Sequence, residues 1–261
     1  MQWHRWAWRA SAQARSRLGE PQLWPLDFGS AEPHHVSFDT PNLVYLDYAD
    51  GLARNYPLVN LDSLVEARLD VGSTRPQMHA RDSSGRYEVP WDATNLIMGI
   101  HNVQTFHLTS DTIEVIGDFC KTVPVFHNLK HLSIESDHRR GWQALPLLLI
   151  NCPTLHTLVF HSLHHCVTDG CGDVCDCIIY PSSCLSSCPV KILKILDFGA
   201  TCGEMSLVEH FLKKLPLLEE VTIILDYEST LEEDLDLFEV SEALEMTPRA
   251  SPNCKLRIVD E

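Results

Sequence analysis

One short phrase returns along this chain: an apolar residue, two variable residues, an apolar residue, one variable residue, an apolar residue. It reads Leu43-Leu46-Tyr48, Leu64-Ala67-Leu69, Val103-Phe106-Leu108 and Leu129-Leu132-Ile134, then Leu155-Leu158-Phe160, Val190-Leu193-Ile195 and Leu218-Val221-Ile223. Successive starts lie 21, 39, 26, 26, 35 and 28 residues apart. One strand with one return segment cannot bury its own apolar side. Neighbouring copies must stack, and stacking leaves the opposite side of the strands open.

The phrase and its period near 26 are those of a leucine-rich repeat. The expected fold class is therefore α/β: a leucine-rich-repeat solenoid, with a curved parallel sheet and helical or irregular return segments. Side chains alternate along each strand, so Leu46 and Tyr48 should point inward while Tyr45 and Asp47 point outward. Across the sheet the outward positions form two columns. One runs Tyr45, Glu66, Thr105, His131, Thr157, Ile192, Glu220, and the other Asp47, Arg68, His107, Ser133, Val159, Lys194, Thr222. From these the expected concave protein-binding residues are Tyr45, Asp47, Glu66, Arg68, Thr105, His107, His131, Ser133 and Lys194.

The return segments carry helix signals. Asp111 to Val123 follows an N-cap candidate, Ser110 or Asp111, and stops before Pro124. Trp142 to Asn151 stops before Pro153, with Pro146 in its first turns. Glu204 to Lys214 places Leu207, Val208, Phe211 and Leu212 on one stripe. An amphipathic stretch from Leu235 to Met246 precedes a terminal strand, Leu256 to Val259. Proline recurs just ahead of the phrase, as in Cys152-Pro153 and Cys188-Pro189, where it stops the return segment and favours extended backbone.

The chain divides into three expected parts. Residues 1–35 are an atypical, poorly ordered leader with four arginines, whose composition partly matches an organelle transit peptide. Residues 36–200 are leucine-rich repeats, with insertions near 73–91 and 161–188. Residues 201–261 are C-terminal repeats and a cap.

Composition removes several function classes. A formal charge of −16 speaks against nucleic-acid binding, which needs a basic footprint. Nine acidic residues lie between Asp226 and Glu245 without a Lys or Arg, which reads as a solvated surface or an attractor of basic partners. No apolar run is long enough to span a bilayer, so no membrane partner is expected. Ten cysteines without a secretory signal or an Asn-x-Ser/Thr sequon point to reduced thiols and a cytoplasmic or nuclear location.

Six of those cysteines lie between Cys166 and Cys188, just after His161, His164 and His165. Cys166, Cys171, Cys175 and Cys177 are the available zinc ligands. Their gaps are irregular and no Cys-x-x-Cys occurs, so buried thiols in an insertion are the expectation, with no metal and no cofactor. Neither a Gly-x-Ser-x-Gly elbow, His-Glu-x-x-His, nor a phosphate-binding glycine loop is present, so no enzyme is expected and no catalytic residue is assigned.

Longer phrases resemble the plant F-box proteins with leucine-rich repeats and a C-terminal FBD region. They are Ser37-Phe38-Asp39-Thr40-Pro41-Asn42-Leu43-Val44-Tyr45-Leu46, Val59-Asn60-Leu61-Asp62-Ser63-Leu64, and Asn151-Cys152-Pro153-Thr154-Leu155. Cys171-Gly172-Asp173-Val174-Cys175, Ser187-Cys188-Pro189-Val190-Lys191 and Phe211-Leu212-Lys213-Lys214-Leu215-Pro216 continue the series. The resemblance covers residues 36–261 and makes 201–261 FBD-like. It implies a substrate-recognition part of a ubiquitin ligase, within the ubiquitin-like conjugation pathway. The family's F-box phrases are not found in residues 1–35. A Skp-type adaptor and cullin are therefore expected partners only if an F-box exists upstream. The target protein is unknown, and a truncated or decoy interaction protein, or a zinc-stabilised domain, is the alternative.

Overall fold

The computed structural model describes residues 35–73, 91–137, 144–163, 183–225 and 237–259. The chain enters through β1 (Phe38–Asp39), β2 (Tyr45–Gly51), β3 (Val59–Asn60) and β4 (Glu66–Gly72). Then come α1 (Thr94–Gly99), β5 (Thr105–Leu108), α2 (Ser110–Phe119), β6 (His131–Glu135), α3 (Leu145–Ile150) and β7 (Thr157–His161). The series ends with α4 (Ser183–Ser186), β8 (Ile192–Phe198), α5 (Cys202–Lys214), β9 (Glu220–Leu225), α6 (Leu237–Glu245) and β10 (Lys255–Val259).

Eight strands form one sheet in the order β10-β9-β8-β7-β6-β5-β4-β2, and every adjacent pair is parallel. This is the expected leucine-rich-repeat architecture. A separate pair, β1 with β3, lies outside that sheet and was not expected from the phrase.

Register comes from a local device repeated with the phrase. Just before five of the seven phrases a turn closes when the first apolar residue donates its N–H to the carbonyl three residues back. Leu43 bonds Thr40, Leu64 bonds Leu61, Val103 bonds Ile100, Leu129 bonds Phe126 and Leu155 bonds Cys152. The turn centres are Pro41-Asn42, Asp62-Ser63, His101-Asn102, His127-Asn128 and Pro153-Thr154, rich in residues that favour turns. The next residue's carbonyl then accepts two N–H groups from the following strand. Gln104 accepts from Lys130 and His131 at 2.9 and 3.0 Å, and Lys130 from His156 and Thr157, both at 2.9 Å. Val44, Val65, His156 and Lys191 do the same for their neighbours.

Inward residues of the phrase fill the core. Leu132, Leu158, Leu193, Val221 and Phe106 are fully buried, and Phe160 stacks on Phe211 of α5 with ring centres 5.3 Å apart. The return helices present their apolar stripes to the same core, including Ile113 and Ile116 from α2 and Leu207 and Val208 from α5.

Helix boundaries differ in detail from expectation. Helix α2 is capped by Thr109, whose hydroxyl accepts the N–H of Thr112; Ser110 and Asp111 fall inside its first turn. Helix α5 begins two residues early, at Cys202. A capping box causes this: the Thr201 hydroxyl accepts the Glu204 N–H, and the Glu204 carboxylate accepts the Thr201 N–H. That carboxylate also takes the N–H of Gly199, which explains an acidic residue only 2% exposed. Helix α3 is confined to Leu145–Ile150, with Pro146 in its first positions; Trp142 lies outside the described residues. The leader at 1–34 and residues 74–90 and 164–182 of the insertions also lie outside them.

Helix α1 was missed by the phrase. It docks through Gly99, where an added Cβ would overlap Val59 of β3. Gly99→Ala should therefore lower stability by about 1–3 kcal/mol in denaturant titration, because overpacking must move β3 or α1. Leu132→Asp should cost about 3 kcal/mol or more, since it buries an unpaired charge in the middle of the stack. A Leu132→Asp protein that unfolds at the parent's midpoint would contradict the strand register.

Candidate functional site

The face of the sheet away from the core carries the two expected columns. Cα partners run Tyr45–Glu66–Thr105–His131–Thr157–Ile192–Glu220, and Asp47–Arg68–His107–Ser133–Val159–Lys194–Thr222. Strand β10 extends both, adding Lys255 beside Glu220 and Arg257 beside Thr222. A third row was not foreseen: Ala49 beside Asp70, and Glu135 beside His161. It is interrupted at β8, where a bulge after Ile195 places Asp197 at φ 51°, in left-handed backbone.

The residues of this face are not equally accessible. Ser133, expected as a contact residue, is only 4% exposed, and Val159 only 6%. Ser133 is small and lies within hydrogen-bond reach of His161, its Oγ 3.2 Å from Nε2. Larger neighbours therefore define the accessible surface. Tyr45, Glu66, His107, His131 and Thr157 are half-buried, while Lys194 and Glu135 are exposed.

Electrostatics make the middle of the face uncharged. Burial pushes the His107 imidazolium down to about 4, and the Arg68 guanidinium adds to the effect. His131 shifts the same way through burial and then Lys194. The two rings lie 6.1 Å apart, both neutral near pH 7. The 3.6 Å approach of His107 Nε2 to Glu66 is accordingly a contact of a neutral ring with a carboxylate. Glu135 is exposed as a residue but lines the cavity below, and desolvation there moves it upward, with Asp70 adding to the rise against the opposing pull of His161.

A small cavity of about 90 Å³ opens at the C-terminal ends of these strands, lined by Asp47, Arg68, Asp70, His107, Thr109 and Glu135 among others. The Thr109 hydroxyl donates to Asp70 at 3.1 Å and fixes that carboxylate. A wider hollow of about 490 Å³ lies beside β10, lined by Glu245, Thr247, Arg249, Pro252 and Leu256. Two of its polar groups hold the chain: Thr247 donates to the Ala243 carbonyl and Arg249 to that of Cys254.

The candidate zinc ligands Cys166, Cys171, Cys175 and Cys177 lie outside the described residues. Among the described residues no group of three or more His, Cys, Asp or Glu is placed to hold a metal. Cys152 and Cys188 are buried free thiols, pushed by burial up to about 12 and about 11, which makes them inert fillers. Cys202 corrects the reading of uniformly reduced thiols: it is disulfide-bonded. Among the described residues no helix is long and apolar enough to cross a membrane.

No protein-family model and no solved structure matches the chain. Curated relatives do. The F-box/LRR-repeat protein At3g59210 of Arabidopsis thaliana is 43% identical over 99% of this chain and 55% of its own length. The F-box/LRR-repeat protein At3g59250 of the same plant is 40% identical over 97% of this chain and 60% of its own length. The chain thus spans little more than half of the relatives it matches. These matches bear out the resemblance carried by the residue phrases.

The histidines give a pH signature. A histidine held neutral by the fold has its folded value below its unfolded one. Stability is then kept above the unfolded value, near 6.5, and lost as pH falls towards the folded value near 4. His107→Gln should remove about 2 kcal/mol of the stability lost between pH 6.5 and 4.5, read by denaturant titration at both values. Parallel pH profiles for parent and variant would contradict a neutral, desolvated His107.

Proposed function

We propose that this chain, a relative of the plant F-box/LRR-repeat proteins, is a non-catalytic protein-recognition module whose partner lies across the open face of the sheet. The observation that supports this most is the contrast between the two faces. Phrase positions facing the core are buried and apolar, whereas the alternate positions in register carry Tyr45, Glu66, Arg68, His107, His131 and Lys194. A folded sheet has no internal use for that row, and Tyr, Arg and His suit protein interfaces.

The Ser133–His161 contact resembles a nucleophile and its base, but access argues against catalysis. Ser133 is almost wholly buried, and the backbone donors of β6 are engaged in ladders with β5 and β7. No pair of N–H groups is left there to stabilise an oxyanion.

By kinship the module corresponds to the part of an F-box protein that selects a target for ubiquitin ligation, with residues 201–261 as its FBD-like repeats and cap. Docking to a Skp-type adaptor and cullin would require an F-box upstream of these repeats. The working location in this reading is the cytoplasm or nucleus.

Blocking the face tests the proposal. Thr105 and Thr157 flank His131 on adjacent strands and are half-buried. A Thr105→Trp, Thr157→Trp variant should fold like the parent. It should lose at least about tenfold in affinity for partners recovered by a two-hybrid screen with the parent chain, because bulk at an interface centre blocks close packing. Full retention of those partners by a folded variant would overturn the reading.

A further inference from the structure

The charges on the open face are sorted along the sheet. At the β2–β6 end, Asp47, Asp70 and Glu135 line the small cavity, with Arg68 as the single cation among its described lining residues. At the other end, Lys194, Lys255 and Arg257 stand on β8 and β10, all three exposed. Arg257 lies 3.5 Å from Glu220, while neither Lys194 nor Lys255 has an ion-pair partner among the described residues. Between the two ends lie neutral His107 and His131, Thr157, recessed Ser133 and Val159, and Ile192.

We infer that the occupant of this face is an extended protein segment with two unlike ends. Its cationic side chain enters the cavity between Asp47, Asp70 and Glu135. An uncharged stretch crosses Ser133 and Val159, and an acidic residue meets Lys194 and the β10 cations. This inference rests on the proposal that the open face binds a partner, and it specifies that partner's chemistry.

Dimensions agree with an extended segment. Strands are spaced by about 4.8 Å, so four to six strand intervals between the charged ends span about 20–30 Å. An extended chain covers that distance in about six to nine residues. Complementarity also explains why one end alone would not suffice. With a net charge of −16, any basic peptide is attracted to this protein in general. The positive end is the local exception that would impose orientation and partner choice. Glu135 fits the same picture: desolvation, and then Asp70, raise its pKa, so an arriving cation favours its charged form.

The test uses three fluorescent 12-residue peptides with the same uncharged Ala/Ser/Thr/Val centre. One carries Arg-Lys at one end and Asp-Glu at the other; the second has basic residues at both ends and the third acidic residues at both. Anisotropy titration at low salt should show the bipolar peptide binding at least about fivefold more tightly than either control. Glu135→Lys, and independently Lys194→Glu with Lys255→Glu, should each erase that preference while the proteins melt like the parent. Equal or tighter binding by the basic-ended peptide, or no binding by any of the three, would overturn the inference. Thr157→Trp separates the layers. If it abolishes binding of the bipolar peptide while the charge variants change nothing, the face stands and the polarity fails. If it leaves that binding untouched, the face reading fails too.

Discussion

A single carbonyl at the entrance of each strand carries the architecture. It accepts two N–H groups from the next strand, and the same position does so from Val44 to Lys191. The turn just ahead delivers the first apolar residue into the core at a fixed phase. Insertions of different lengths can therefore intervene between strands without altering register. The 39-residue spacing between the second and third phrases and the 26-residue spacing that follows end in the same pairing geometry. A slip of one residue would send the buried leucines to the open face and the charged residues into the core.

That constraint produces the candidate site as a by-product of the core. Because Leu132, Leu158 and Leu193 must align inward, His131, Thr157 and Ile192 align on the other side. Parallel pairing holds the outward side chains in straight rows about one strand spacing apart. Rows so placed influence one another. Burial between the rows, with Arg68 adding to it, keeps His107 neutral, Lys194 adds to the effect of burial on His131, and Asp70 and Glu135 share the cavity. Recognition on such a surface depends on the pattern of the rows more than on any one side chain.

The two columns of this face were legible in the residues because a period-2 strand attached to a recurring phrase leaves only one assignment of sides. What was not legible follows from the same logic. The third row, with Asp70 and Glu135, lies beyond the last apolar position of the phrase, where strand length varies. Ser133 satisfies the outward pattern, yet its burial depends on the size of neighbours, which a one-dimensional pattern does not contain. Thr109, Ser110 and Asp111 are all good caps, so only the backbone geometry decides that Thr109 ends the loop. Helix α1 is six residues long and depends on contacts between distant segments, among them the close approach of Gly99 to Val59.

The account turns on which side of the sheet meets a partner, and side-chain footprinting reads that directly. Hydroxyl-radical labelling of the chain, alone and bound to a partner recovered with it, compares His107, His131 and Ile192 with the exposed Met98 and Met246 outside the sheet. The account predicts that the three sheet residues lose reactivity on binding while both methionines keep theirs. Protection of Met98 or Met246, with His107, His131 and Ile192 unchanged, would contradict it.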